Sequence, residues 1–296
     1  MAQEKELRAH QKYKKRSSLG MVWHQLKKNK GAIIGLVLIS LVIILALCAP
    51  LIYDYKSDIV KNHVRERMLF PSREHPFGTD DLGRDILARV IWGARYSLAV
   101  GVVAVMFALV VGVSLGAVAG YVGGVFEDIV MRICDIFSSI PSVLLAIAVV
   151  SAMGKSTINL MIAVGLASSA PFTRVARAAV LVVRDEEYVE AAKAIGMRDI
   201  QIIFEHILPN CVSQIIVQAT LRVGSAIISA AQLSFLGLGV PAPAPEWGAM
   251  LSSGRQFIRD YSYMTLFPGL AIMLCVLSLN LLGDGLRDAL DPKLKR

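Results

Sequence analysis

The sequence predicts an all-α membrane protein with six membrane-spanning helices. Hydrophobic residues make up 55% of its 296 residues and charged residues only 18%, whereas about a quarter of the residues in soluble domains are charged. Uncharged stretches long enough to cross a bilayer recur along the chain. Because a helix satisfies its own backbone hydrogen bonds, helices are the expected way to cross lipid. The predicted spans lie near residues 31–53, 97–121, 131–152, 157–178, 211–233 and 263–283.

Residues 1–30 form a basic segment before the first span. They carry nine Lys or Arg against two Glu, so the positive-inside rule places the N-terminus in the cytoplasm. Leu19, Val22, Trp23 and Leu26 follow helical spacing. This pattern predicts a short helix in the membrane interface, anchored by Trp23. A basic tail beside a first span accounts for much of the net charge of +8 without nucleic-acid binding.

The six spans also define the predicted organisation of the rest of the chain. The first span at 31–53 is followed by an outer loop at 54–96, a five-helix core at 97–283 and a tail at 284–296. An even number of spans returns the C-terminus to the cytoplasm, and the basic residues of the tail agree with that side. The outer loop has eight Lys or Arg and seven Asp or Glu, so its charge does not decide the orientation.

No motif of an enzyme or a metal site is found along the sequence. The stretch "AMGKST" at 152–157 resembles the end of a phosphate-binding loop, but Val149 stands where that loop requires a glycine. The five histidines show no paired ligand spacing, and the four cysteines are far apart. We therefore expect no catalytic residue, metal or cofactor on this chain.

The segment "EYVEAAKAIGMRDIQIIFEHILPN" at 187–210 interrupts the apolar sequence with charged residues. Acidic residues at its start suit the N-terminal end of a helix, and a small, smooth face is formed by Ala191, Ala192, Ala194 and Ile195. Gly196 is expected to bend the helix, and a second helical piece at 198–208 is expected to end at Pro209. An ordinary interfacial loop is the alternative that these residues leave open.

The same segment resembles the EAA loop of ABC importer permeases. Glu190-Ala191-Ala192, Gly196 and Leu208-Pro209 stand at the spacing of that loop, although His206 replaces its isoleucine. In such permeases the loop is a coupling helix that docks on a separate ATPase subunit, within a coupling loop that corresponds here to 184–210. The resemblance implies an ATPase-coupling role for Glu187, Glu190, Ala191, Ala192, Gly196, Leu208 and Pro209.

Further motifs extend the resemblance over nearly the whole chain. They are "HPFGTDDLGRDILARVIWGARYSLAVG" (75–101), "IVMRICDIFSSIPSVLLAIAVV" (129–150), "LSFLGLGVPAPAPEWGAML" (233–251) and "NLLGDGLRDALDPKLK" (280–295). They are similar to the C-type permease subunit of the dipeptide, oligopeptide and nickel importer family. The resemblance implies a type I ABC importer permease fold in a bacterial or archaeal cell membrane. It also implies partners: a second, B-type permease, two subunits that bind ATP and Mg, and an extracytoplasmic binding protein.

Arg222 lies inside the fifth predicted span, and an ionisable residue there suggests a function by default. Either it meets a carboxylate of a substrate, or it pairs with an acid of the other permease or with backbone carbonyls. Gln214, Gln218, Ser225, Ser229 and Gln232 share its turns of helix. They form either the wet face of a translocation pathway or polar contacts between packed helices.

These observations favour a permease subunit of a peptide importer. Glutathione and nickel or metallophore import are alternatives within the same family. A secondary transporter is a more distant alternative, because internal repeats and paired acids within the membrane are lacking. A scaffold that transports nothing has no use for the segment at 187–210. The Gly- and Pro-rich stretch at 234–262 is expected to touch the binding protein or the outer gate.

Overall fold

The computed structural model describes residues 18–290, which form a bundle of α-helices. In chain order these are α1 (Ser18–Leu26), α2 (Lys30–Ile52), α3 (Ile86–Val122), α4 (Gly124–Ser139), α5 (Ser142–Met153), α6 (Thr157–Val183), α7 (Glu187–Ala194), α8 (Asp199–Phe235), α9 (Trp247–Gly254) and α10 (Tyr263–Leu290). Short helical turns occupy Tyr55–Val60, Val64–Glu66 and Arg255–Phe257. The outer parts of the predicted basic tails, 1–17 and 291–296, lie outside the described residues.

Five of these helices, α2, α3, α6, α8 and α10, are long and apolar enough to cross a membrane. The sixth crossing requires α4 and α5 together, and they are bent by 93° at their junction. The continuous span predicted at 131–152 is therefore wrong. Pro141 has no N–H and restricts the residue before it, and Ile140 accordingly has the extended backbone angles φ −94° and ψ 128°.

Helix α3 begins at Ile86, earlier than the predicted span at 97. Asp85 caps its N-terminus by accepting a hydrogen bond from the Ala88 N–H at 2.8 Å. Arg89 lies outside the uncharged stretch on which the predicted span was placed; it is buried and lies 3.6 Å from the carboxylate of Asp80. It also donates to the Ile59 carbonyl at 2.7 Å. The folded segment 54–85, called the cap below, thus provides the partners of the buried Arg89 guanidinium.

The cap lies over the ends of α3 and α10. Tyr263 donates its hydroxyl to the Thr79 carbonyl at 3.2 Å, and the rings of Phe77 and Phe267 stack at 3.9 Å. Helix α9 packs at the same end of the bundle, where the indole of Trp247 donates to the Val90 carbonyl at 2.9 Å. The cap and α9 together close one end of the helix bundle.

Helix α9 lies within the Gly- and Pro-rich stretch for which no helix is predicted. Buried Glu246 caps it, accepting hydrogen bonds from the Gly248 and Ala249 N–H groups at 2.9 and 2.8 Å. Burial raises the pKa of this carboxyl group. Glu246 as an acidic N-cap is the one sequence signal for this eight-residue helix. The Gly- and Pro-rich composition of the stretch hides that signal.

The short helix expected before the first span is confirmed as α1. Leu26 is buried against Ala32 and Ala289, whereas Trp23 is 47% exposed with the Lys27 ammonium 5.1 Å from its ring centre. The side chain of Leu19, the first residue of the predicted face, lies outside the described part. An exposed Trp beside Lys suits a membrane interface.

Candidate coupling and translocation sites

Helix α7 ends in a turn that depends on Gly196. The Met197 N–H donates to the Ala192 carbonyl at 3.2 Å and the Gly196 N–H to the Lys193 carbonyl at 3.0 Å. This pair of bonds is the Schellman motif, which requires a left-handed residue after the helix. Gly196 has φ +81°, and a Cβ built on it meets nothing within 4 Å. The position therefore selects glycine for its backbone conformation and leaves the space around it open.

One face of α7 is anchored to the bundle and the other is exposed. Val189 and Ala192 are buried in a cluster with Ile202, Ile203 and Ile207. Of the smooth face expected from the sequence, Ala192 is buried, whereas Ala191, Ala194 and Ile195 are exposed. The exposed side of the segment carries Glu187, Tyr188, Glu190, Ala191, Ala194, Ile195, Ile200 and Phe204. The sequence analysis does not single out Tyr188, Ile200 and Phe204, because their exposure depends on how the segment packs on the bundle.

The second helical piece does not end at Pro209, contrary to the prediction. Helix α8 runs without a break from Asp199 to Phe235, and a π-helical turn at Ile202–Ile207 precedes the proline. The Leu208 N–H bonds to the Ile203 carbonyl, and Asn210 donates its side-chain amide to the His206 carbonyl at 2.7 Å. The hydrogen bonding of the helix is thus already widened before Pro209, where the chain has no N–H, and the helix continues through it.

Three contacts tie the segment 184–210 to the end of α3. Tyr121 donates its hydroxyl to the Asp199 carboxylate at 2.7 Å, and the Lys193 ammonium lies 5.2 Å from the Tyr121 ring centre. Arg184 donates to the Gly120 carbonyl at 2.8 Å. The turn between α7 and α8 is therefore fixed to the bundle by hydrogen bonds as well as by apolar packing.

We expect Tyr121→Phe to loosen this segment without unfolding the protein. A hydrogen bond to a charged group contributes roughly 1.5–3 kcal/mol, and less where the carboxylate is exposed as here. Hydrogen exchange of the backbone amides in 187–201 should rise several-fold. Tyr96→Phe is the matched control, because it removes a hydroxyl that contacts Tyr55 at 3.2 Å at the other end of the bundle. Equal exchange in both variants would contradict the role given to the Tyr121–Asp199 bond.

A polar stripe runs along one face of α8 within Leu208–Phe235. Its members recur every three or four residues and are exposed or half-exposed: Gln214, Gln218, Arg222, Ser225, Ser229 and Gln232. Ala226, Ile227, Ala230 and Leu233 are buried elsewhere on the helix. Arg222 lies near the middle of this stretch, roughly 20 Å from either end at about 1.5 Å per residue. The structure thus aligns all the predicted pathway residues.

A groove beside α10 continues this polar stripe. Ser213, Gln214 and Gln218 line it together with apolar residues of α8 and with Arg287. Among residues 18–290, no group of three or more His, Cys, Asp or Glu side chains is placed to hold a metal ion. The groove offers hydrogen-bonding side chains and a cation on an otherwise apolar wall.

The comparisons with known proteins agree with this architecture. Residues 112–296 match the family described as the binding-protein-dependent transport system inner membrane component. Residues 17–71 match the N-terminal transmembrane domain of oligopeptide transport permease C. The inward-facing MetNI methionine ABC transporter has a chain that superposes with a TM-score of 0.56 at 18% identity, covering 70% of this chain and 98% of that one.

Curated relatives match over almost the full length. The chain is 52% identical to the dipeptide transport system permease protein DppC of Alkalihalophilus pseudofirmus, across 92% of this chain and 88% of that protein. It is 43% identical to the di/tripeptide transport system permease protein DppC of Pseudomonas aeruginosa, across 94% and 93%. The glutathione transport system permease protein GsiD of Escherichia coli is 45% identical, across 92% and 90%.

The long apolar helices make the chain a multi-pass membrane protein. Their arrangement, with the segment 187–210 between two spans, is that of a type I ABC importer permease. The family resemblance inferred from the EAA-like segment and the four longer motifs is confirmed. This chain belongs to the binding-protein-dependent transport system inner membrane component family, whose members are permease subunits of ABC importers.

Proposed function

We propose that this chain is the membrane-spanning permease subunit of an ATP-driven peptide importer. Two of its relatives are named as dipeptide and di/tripeptide permeases, and one of them shares 52% of its residues. The chain would work in a bacterial or archaeal cell membrane with both termini in the cytoplasm, as the basic N-terminal segment favours. Its partners would be a B-type permease, two ATPase subunits that bind ATP and Mg, and an extracytoplasmic binding protein.

The continuity of α8 is the observation that carries this proposal. One helix, Asp199–Phe235, connects the exposed segment next to Gly196 with the polar stripe around Arg222. The surface that would dock on an ATPase, on α7, is packed against the first turns of α8 through Val189 and Ala192, and α8 itself carries the surface that would meet the substrate. Glu187, Glu190 and Ala191 would contact the ATPase, while Ala192, Leu208 and Pro209 would hold the docking surface in position.

A transport cycle follows from that connection. Closure of the ATPase pair upon ATP binding moves the segment 187–207, and α8 transmits this movement to the polar stripe. The spans then rock from inward-facing to outward-facing, and the binding protein releases its substrate into the pathway. Hydrolysis and release of the nucleotide, which take place on the partner subunits, return the permease to its first state.

Glutathione is the second candidate substrate, because glutathione permeases are 44% and 45% identical to this chain. Glutathione is itself a small peptide, so one pathway of this chemistry can accept either substrate. Nickel or metallophore import is a third candidate that the family resemblance leaves open.

The test is the ATPase activity of the complete complex in lipid, with the binding protein loaded with different substrates. We expect dipeptides or tripeptides to stimulate hydrolysis above the rate with unloaded binding protein. Stimulation by glutathione alone, or by a metal complex alone, would move the chain to one of the other candidates. Failure to co-purify with any ATPase subunit would contradict the coupling role of the segment 187–210.

A further inference from the structure

Arg222 is a cation in the middle of a membrane-spanning helix, and its surroundings leave its charge uncompensated. Its side chain is half-buried, and among residues 18–290 it forms no hydrogen bond or ion pair. Burying a charge in the apolar part of a membrane is costly unless another group binds it. The partner of this guanidinium must therefore come from outside the described chain.

The packing of α8 shows which side Arg222 faces. Leu221 packs on α10 so closely that a Cβ on Gly283 would lie 2.5 Å from its side chain. Ile227 packs on α3 in the same way, 2.5 Å from a Cβ built on Gly101. The stripe of Gln218, Arg222 and Ser225 lies between these two contacts, on the side that this chain leaves open.

The side chains on that open side are polar, so this side of α8 does not face lipid tails. A helix face that meets lipid is apolar, whereas this face presents amides, hydroxyls and a guanidinium over about five turns. The open side therefore faces either water in the pathway or a polar surface of the partner permease. If the open side faces the water-filled pathway, an imported peptide would bring an anionic group, its carboxylate, close to it.

We propose that Arg222 binds the C-terminal carboxylate of the peptide during translocation. This inference rests on the proposed function. The planar guanidinium of arginine can bind a carboxylate through two parallel hydrogen bonds, and a low-dielectric setting strengthens such a pair. Gln218 and Ser225, one turn away on each side, supply neutral hydrogen-bonding groups for the peptide backbone. Every unmodified peptide has this carboxylate, so one arginine serves substrates with different side chains.

The experiment compares a tripeptide with its C-terminal amide. The complete complex is reconstituted in vesicles, and each peptide is supplied at a concentration that saturates the binding protein, as checked by its tryptophan fluorescence. The quantity measured is the ratio of initial uptake rates, free acid over amide. If the binding protein still prefers one peptide, that preference affects the ratio equally for the wild type and the variants. A change in the ratio therefore reports on the permease.

We expect Arg222→Gln to lower this ratio about tenfold, toward one, because a charge-assisted hydrogen bond is lost for the acid and not for the amide. Arg222→Lys should keep much of the ratio, since it keeps the charge. Gln218→Ala, the matched control on the same stripe, should leave the ratio unchanged even if it slows the uptake of both peptides.

The outcomes that would overturn the inference are distinct from failure of the proposed function. An unchanged ratio in Arg222→Gln, or loss of assembly with both Arg222→Gln and Arg222→Lys, would assign Arg222 to the interface with the partner permease. Equal uptake of acid and amide by the wild type would also overturn it. A wild-type complex that takes up neither peptide would instead contradict peptide import itself.

Discussion

Gly196→Asp is expected to abolish coupled transport while the permease pair still assembles. The residue has φ +81° and its Cβ would point into open space, so a side chain meets no steric obstacle. Aspartate tolerates the left-handed conformation better than most residues, which limits the damage to folding. It places a carboxylate just beyond the C-terminus of α7, beside the exposed Ala194 and Ile195. A close, partly apolar contact with an ATPase subunit would have to bury that charge.

Gly196→Asn distinguishes an effect of the added charge from an effect of replacing glycine with a larger residue. It has nearly the same shape and also accepts a positive φ, but it brings no charge. We expect the asparagine variant to keep a substantial part of substrate-stimulated ATPase activity and uptake, and the aspartate variant to lose both. Normal transport by the aspartate variant would show that this turn does not contact the ATPase. Co-purification of the two permeases measures assembly in each case.

The all-α fold class and the location of most spans could be predicted, because the length of an uncharged run can be read from the local sequence. The break at Ile140–Pro141 was hidden by the same criterion, since proline and serine are uncharged and do not shorten the run. The early start of α3 was hidden for the opposite reason. Arg89 is charged, and only the fold of the cap brings Asp80 and the Ile59 carbonyl to its side chain.

The candidate sites divide in a similar way. The i, i+3 and i+4 spacing of the polar stripe is a local pattern, so the alignment of Gln214, Gln218 and Arg222 was predictable. The burial of Ala192 and the bond between Tyr121 and Asp199 were not predictable. Both depend on how α7 lies against α3 and α6, and this packing joins residues that are distant in the sequence.

Gly116→Leu is expected to prevent assembly of a stable permease, and even Gly116→Ala should weaken it. Gly116 lies where α3 crosses α6, and a Cβ there would be 2.3 Å from the Thr173 carbonyl oxygen and 2.9 Å from the Ala176 Cβ. The first of these atoms belongs to the helix backbone, which cannot rotate out of the way, so the two helices must separate. Overpacking by a few atoms costs about 1–3 kcal/mol in well-packed cores, and leucine adds more atoms than alanine.

Gly269→Ala is the matched control, because the nearest atom to its Cβ would be the Leu251 Cδ2 at 3.9 Å, an ordinary contact. There we expect no loss, and a gain of roughly 0.5–1 kcal/mol, since alanine favours a helix interior over glycine. Thermal unfolding of the detergent-purified permease pair, followed by tryptophan fluorescence, measures both variants.

The effect of Gly116→Ala should also extend to coupling. Ala179 and Val180 of α6 form part of the apolar cluster that holds Val189 and Ala192 of α7. Separation of α3 from α6 would therefore displace the base on which the exposed segment rests. In complexes that still assemble, substrate-stimulated ATPase activity should fall further than basal activity. Equal loss of both activities would indicate that α3 and α6 stabilise the bundle without setting the position of α7.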